Sequence, residues 1–122
     1  MGVAAAVAAL AAGGTTGAQA GPPPAVNLVP PTVIGVPLTG QTLSYNQGLW
    51  TMGGTPYVFS QVWLRCDLTG ANCTSTGVTT PTYTVRAADV NHTIRVRVTN
   101  TGDGGNGEPV TVDSAPTAPV AR

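Results

Sequence analysis

Between Val33 and Val112 the apolar residues come in short runs cut by Gly, Asn and Pro, and none recur at helical spacing over any length. The clearest pattern is Thr93–Asn100, where Ile94, Val96 and Val98 alternate with Arg95, Arg97 and Thr99. A period of two puts the aliphatic set on one face and the arginines on the other, as in a half-buried antiparallel strand. Tyr57–Cys66 is the longest strand candidate and carries Phe59 and Trp63 on one parity. Gln41–Tyr45, Thr82–Val85 and Glu108–Val112 read as shorter strands, and Val26–Val36 as a proline-interrupted edge strand. Ala87–Val90 is the one helical turn, with Val90 placed to plug the space beneath the Ile94 strand. Asn91 follows where the chain must reverse, a position suited to the left-handed conformation. Thr101–Gly107 (TGDGGNG) is a glycine-rich hairpin turn. The pattern predicts an all-β fold, an antiparallel β-sandwich of about seven strands.

The ends differ in character. Met1–Ala20 contains an apolar stretch, Val3–Ala12, then a break at Gly13–Gly17 and an Ala18-Gln19-Ala20 cleavage signal. It reads as a signal peptide-like leader, although the basic residues that normally open one are missing. Its apolar stretch is shorter than the roughly 20 residues a membrane span requires. A Pro-rich linker follows over 21–27, and the domain is placed at 28–120. Six of the 11 prolines lie before residue 38, and Ser114–Arg122 has a similar linker-like composition.

Composition narrows the function classes. The 122 residues carry five Arg, no Lys and five acidic side chains, so the formal net charge is zero. Nothing in that balance favours nucleic acid or an anionic membrane. A hydrophobic fraction of 42% supplies a core, unlike the composition of a disordered chain. One His and two Cys are too few for a His- and thiolate-rich metal site, and no cofactor is expected. Residues 1–64 contain no charged side chain; the first charge is Arg65. Sheets usually protect their edges with charge, bulges or proline. The uncharged N-terminal edge is therefore read as one covered by a neighbouring domain or a cell surface.

Gly40-x-x-Leu43, Gly48-Leu49-Trp50, Trp63-Leu64-Arg65-Cys66-Asp67, Gly70-Ala71-Asn72-Cys73, Tyr83-Thr84-Val85, Ala88-Asp89-Val90 and Ile94-Arg95-Val96-Arg97-Val98 occur in this order. The set resembles the bacterial immunoglobulin-like repeat domain of secreted and cell-surface proteins, over about residues 28–120. Asn91 stands where that family usually has Gly, the 101–107 turn is longer than usual, and one copy is present. The resemblance implies an Ig-like or fibronectin type III-like sandwich, located outside the cytoplasm and used as a spacer, display or adhesion module. Its expected partners are neighbouring domains, a surface protein or a polysaccharide.

Individual residues fit that frame. Cys66 and Cys73 enclose six residues and, in an exported chain, read as a hairpin disulfide; buried free thiols are the alternative. Trp63 is assigned to the core. Trp50 either caps the core or stands exposed as a sugar-stacking platform, and Tyr57 is a second ligand-facing candidate. Arg95 and Arg97 share a face, and Arg65 is expected beside them in a small basic stripe with Asp67 close enough to balance it. That stripe is read as a solvated face, with a partner-binding face as the alternative. Asp89 and His92 are the only acid–imidazole neighbours and read as a local hydrogen bond, since no nucleophile or G-x-S-x-G accompanies them. Asp103, Asn106 and Glu108 superficially suggest calcium but lack the spacing of an EF-hand loop. Asn72-Cys73-Thr74 and Asn91-His92-Thr93 match the glycosylation pattern, which the bacterial resemblance argues against. The expected function is a non-catalytic extracellular structural or adhesion module. The alternative is a carbohydrate- or protein-binding accessory module of an exported enzyme.

Overall fold

The structure is a computed structural model that describes residues 23–51 and 54–122. The leader at 1–20 and the first two linker residues fall outside the described residues. Among those described, the chain is all-β with antiparallel sheets. The strands are β1 (Val26–Val29), β2 (Thr32–Ile34), β3 (Thr42–Asn46), β4 (Leu49–Thr51), β5 (Val58–Cys66), β6 (Thr74–Ser75), β7 (Tyr83–Thr84), β8 (Thr93–Thr101) and β9 (Pro109–Asp113). They pair in the orders β6-β5-β8-β9, β2-β3-β7 and β1-β4. Short 3₁₀ turns at Ala87–Asp89 and Asp103–Gly105 are the helical segments.

Among the described residues nine strands replace the expected seven or so, and two of the additions have local reasons. Pro30-Pro31 breaks the Val26–Val36 stretch, because proline has no N–H for a ladder. The two pieces then find different partners: β1 pairs with β4, and β2 pairs with β3. Leu49–Thr51, not among the expected strands, is the second strand of the β1–β4 ribbon. β1 opens at Val26, two residues ahead of the expected domain start.

The core lies between the β2-β3-β7 layer and the β5–β8 layer. Leu43, Trp63, Tyr83, Val85, Ile94, Val96, Val98 and Val120 form its buried centre, flanked by Val33, Tyr45, Trp50, Phe59, Val78 and Val90. Opposed residues of an antiparallel pair share a face. Trp63 opposite Val96 and Arg65 opposite Ile94 therefore point inward, whereas Arg95 (opposite Leu64) and Arg97 (opposite Val62) point outward. Trp63 is fully buried and stacks on Tyr83 at 5.7 Å, and Tyr45 meets its edge at 6.0 Å. Asn100 continues the inward set of β8, yet its buried amide nitrogen and oxygen have no hydrogen-bond partner.

Two glycines are required by close approaches. Gly48 sits at φ +85°, and a Cβ there would fall 2.0 Å from the Val29 carbonyl, so a side chain would separate β1 from β4. Gly70, at φ +83°, would press a Cβ to 2.8 Å from Pro116 and 2.9 Å from Arg95. Asn91 takes the left-handed conformation, φ 66°, as its place in the reversal implies.

The C-terminal segment is docked rather than linker-like. Ser114 and Val120 are buried, Ser114 N–H donates to Val96, and Val120 N–H donates to His92. Leu38 bridges Ala121 in parallel. The chain thus leaves the sandwich where β8 begins, beside His92. It enters at the other end: Val26 pairs with Thr51, and Trp50 beside it touches Phe59, which lies opposite Asn100 near the end of β8.

Candidate functional site

The most connected polar group is Asp89, at the base of the core. The 3₁₀ turn brings it beneath β5 and β7, where its side chain is fully buried. Its carboxylate accepts hydrogen bonds from Tyr83 Oη (2.6 Å), the Arg86 main-chain N–H (2.8 Å) and Arg65 Nε (2.6 Å). Burial pushes the carboxyl up, but these three donors outweigh it and hold Asp89 below its usual range. Burial first, and the Asp89 hydrogen bond second, push the Tyr83 hydroxyl up to about 12. The Asp89 hydrogen bond raises Arg65 as well, and Arg86 lies 5.3 Å from the centre of the Tyr83 ring. Both carboxylate oxygens face fixed donors, so the cluster ties two layers and the 87–89 turn together.

This arrangement corrects the expected basic stripe. Arg65 has the parity of Trp63 and turns inward to Asp89, away from Arg95 and Arg97. Asp67 balances none of the three. It folds into its own loop, accepting from the Thr69 N–H (2.9 Å), Thr69 Oγ1 (2.6 Å), Ala71 N–H (2.9 Å) and Asn72 Nδ2 (2.7 Å). The Thr69 hydroxyl, then the Ala71 amide and the Asn72 side chain, lower its pKa to about 2. Arg97 instead pairs with Asp113 across β8–β9 at 2.7 Å. Arg95 donates to the carbonyls of Gly70 (3.0 Å) and Ser114 (2.8 Å). Arg97 is thereby occupied in fastening β9, and Arg95 in fastening the loop and the C-terminal segment.

Cys66 and Cys73 form a disulfide that closes the Asp67 loop. Thr93 Oγ1 donates to the Asp67 carbonyl at 2.7 Å, anchoring the loop to β8. His92 and Asp89 share a main-chain bond, His92 N–H to the Asp89 carbonyl at 2.9 Å, while the imidazole Nδ1 lies 3.0 Å from the Val90 carbonyl. Asp103 opens the second 3₁₀ turn and Asn106 caps its end, joined by the Asn106 N–H to the Asp103 carbonyl at 3.1 Å. Among the described residues no group of three or more His, Cys, Asp or Glu side chains is placed to share a metal ion.

The aromatic candidates stand at the opposite end. Trp50 is half-buried against the core, meets Phe59 edge-on at 6.0 Å and donates Nε1–H to the Gln47 carbonyl at 2.8 Å. Tyr57 is half-buried and meets Phe59 edge-on at 6.2 Å. The three rings form one packed row.

A cleft that the sequence reading did not anticipate opens beside β3. Its volume is about 530 Å³, and Ser44–Leu49 line it on one side, with Pro81 and Thr82 on the other. No charged residue lines it. The nearest sequence signal is Pro81, two residues before β7.

Comparison of the chain with protein-family models, with curated proteins and with solved structures gives no match. Among the described residues no helix is long and apolar enough to cross a membrane.

Proposed function

We propose that this chain is a non-catalytic, extracytoplasmic Ig-like module that spaces or presents other parts of a surface or secreted assembly. The observation that carries the reading is the placement of the two connections. The fold is entered beside β1 and β4 and left beside His92, at opposite ends of the long β5–β8 pair. Such a layout lets modules follow one another in a line, and tension then loads the contacts of the terminal segments, β1 against β4 and residues 114–121 against β8 and residues 37–39. The Cys66–Cys73 disulfide and the occupied Asp67 loop support use in an oxidising compartment. Half-buried, edge-on Trp50 and Tyr57 offer little flat surface to a sugar, which weighs against the accessory-module alternative.

Single-molecule pulling through residues 24 and 121 tests the reading. A spacer gives one discrete unfolding event per molecule. Reduction lengthens the released chain by roughly 20 Å, the span held behind the disulfide. Extension with no discrete event removes the mechanical role. Saturable binding of a neutral polysaccharide that is lost in Trp50→Ala would replace it with the accessory-module reading.

A further inference from the structure

The cleft beside β3 exists because an inner strand loses its neighbour halfway along. β3 lies between β2 and β7, but β7 is two residues long and pairs only with Thr42 and Leu43. The Val85 N–H donates to the Gln41 carbonyl at 2.9 Å, so the main-chain groups of Gln41, Leu43 and Tyr45 face the β7 side. Continuing the register sets Thr82 opposite Ser44 and Pro81 opposite Tyr45. Proline has no N–H to give. The chain before β7 is also drawn toward the other layer. Gln61 Nε2 donates to the Thr79 carbonyl at 2.6 Å, and Trp63 Nε1 donates to the Thr80 carbonyl at 2.9 Å. No hydrogen bond joins the Tyr45 main chain to residues 79–82. Its N–H and C=O therefore open into the cleft, an uncommon state for a strand with neighbours on both sides.

We propose that this cleft receives an extended, uncharged peptide segment of a partner chain, which pairs with Tyr45 as a short added strand continuing β7. Main-chain groups presented at strand spacing are the recognition element of strand addition. The lining sets the chemistry of the occupant. Ser44, Asn46, Gln47 and Thr82 are neutral, while Leu49 at 61% exposure and Pro81 give an apolar shelf for one β-branched side chain. With no charge in the lining and none anywhere before Arg65, an ionic residue brought into the cleft would lose water and gain no counter-ion. A sugar is served less well. The Tyr45 ring packs edge-on to Trp63, and its hydroxyl is tied to Gln61 at 2.6 Å, so its flat face is not offered. The cleft and the mechanical role are separable, since peptide capture requires Tyr45 and Pro81 whereas resistance to force requires the contacts of β1 and of residues 114–121.

The test uses the 15N-labelled chain and an end-blocked Thr-Val-Thr-Val-Thr peptide. In the free protein the Tyr45 amide should exchange at least about tenfold faster than that of Leu43. The peptide should shift the Tyr45 resonance and slow its exchange by about tenfold or more. Pro81→Val restores an N–H opposite Tyr45, lets β7 lengthen and should abolish the effect. A spin label on the peptide gives a reading that needs no variant, through selective broadening of Tyr45, Asn46 and Thr82. Equal protection of Tyr45 and Leu43 overturns the proposal. So does broadening centred on Thr111 of the β9 edge, or a response to a neutral hexaose with none to the peptide.

Discussion

Replacing Asp89 by Ala removes the acceptor for three donors at once: Tyr83 Oη, the Arg86 amide and Arg65 Nε. Breaking a buried ion pair on one side costs about 3–5 kcal/mol, because the partner charge is left uncompensated. Here the Arg65 side chain keeps 26% exposure, so water recovers part of that cost while the Tyr83 hydroxyl stays buried. The lower end, about 3 kcal/mol, is expected, against a total stability of roughly 5–15 kcal/mol for a domain of this size. The melting temperature should fall by roughly 12–24 °C. Urea unfolding at pH 7 with the disulfide intact, followed by tryptophan fluorescence, measures the difference, and Arg65→Ala with the double variant completes the cycle. The two single losses should exceed the double loss by 1 kcal/mol or more, the order found for groups in direct contact. A loss below about 1 kcal/mol, or strict additivity, would refute the view that this link holds the base of the sandwich together. The variant should also be less sensitive to acid. Asp89 is held below its ordinary value in the folded chain, so its contribution is complete above the unfolded value near 3.9 and is lost as pH falls through the folded one. Asp67, lowered to about 2, retains its own part of the acid slope in the variant.

Tyr83 sets an alkaline limit. Its hydroxyl ionises near 10 in the unfolded chain but only at about 12 in the folded one, so stability should decline between those pH values, and less so in Tyr83→Phe, measured by unfolding titrations in the two proteins. Removing the disulfide as Cys66→Ser with Cys73→Ser would cost about 2.5 kcal/mol for a loop of this length. The Asp67 hydrogen bonds hold the reduced loop in shape, so the loss should stay near that value, and a loss above about 4 kcal/mol would show that they do not. Asn100→Leu, near-isosteric at a buried amide without a partner, should stabilise the fold by about 1–2 kcal/mol in the same denaturation assay; destabilisation would mean that the amide is used. Arg97→Ala should change stability by less than about 1 kcal/mol in that assay, because the Arg97 and Asp113 side chains are 46% and 29% exposed.

The all-β character and the burial of Trp63 were legible in the chain because side-chain direction in a strand is a local property with a period of two. The same rule contained the true direction of Arg65. Two residues after Trp63 it must share the tryptophan's face, and only its charge suggested the solvent side. Left-handed Asn91 was legible for an equally local reason, the conformational tolerance of asparagine.

What the linear pattern could not specify is which segments meet. Asp89 lies 24 residues from Arg65, and nothing near either names the other. Pro30-Pro31 announces a break but not that the pieces on either side join different sheets. Pro81 announces a missing donor, but the open edge at Tyr45 also required Gln61 and Trp63 to draw residues 79–80 toward the opposite layer. Alternation and turn chemistry act over a few bonds and are written residue by residue. Pairing, register between distant strands and the gaps left between them follow from how whole layers close over a shared core, and only the folded chain decides those.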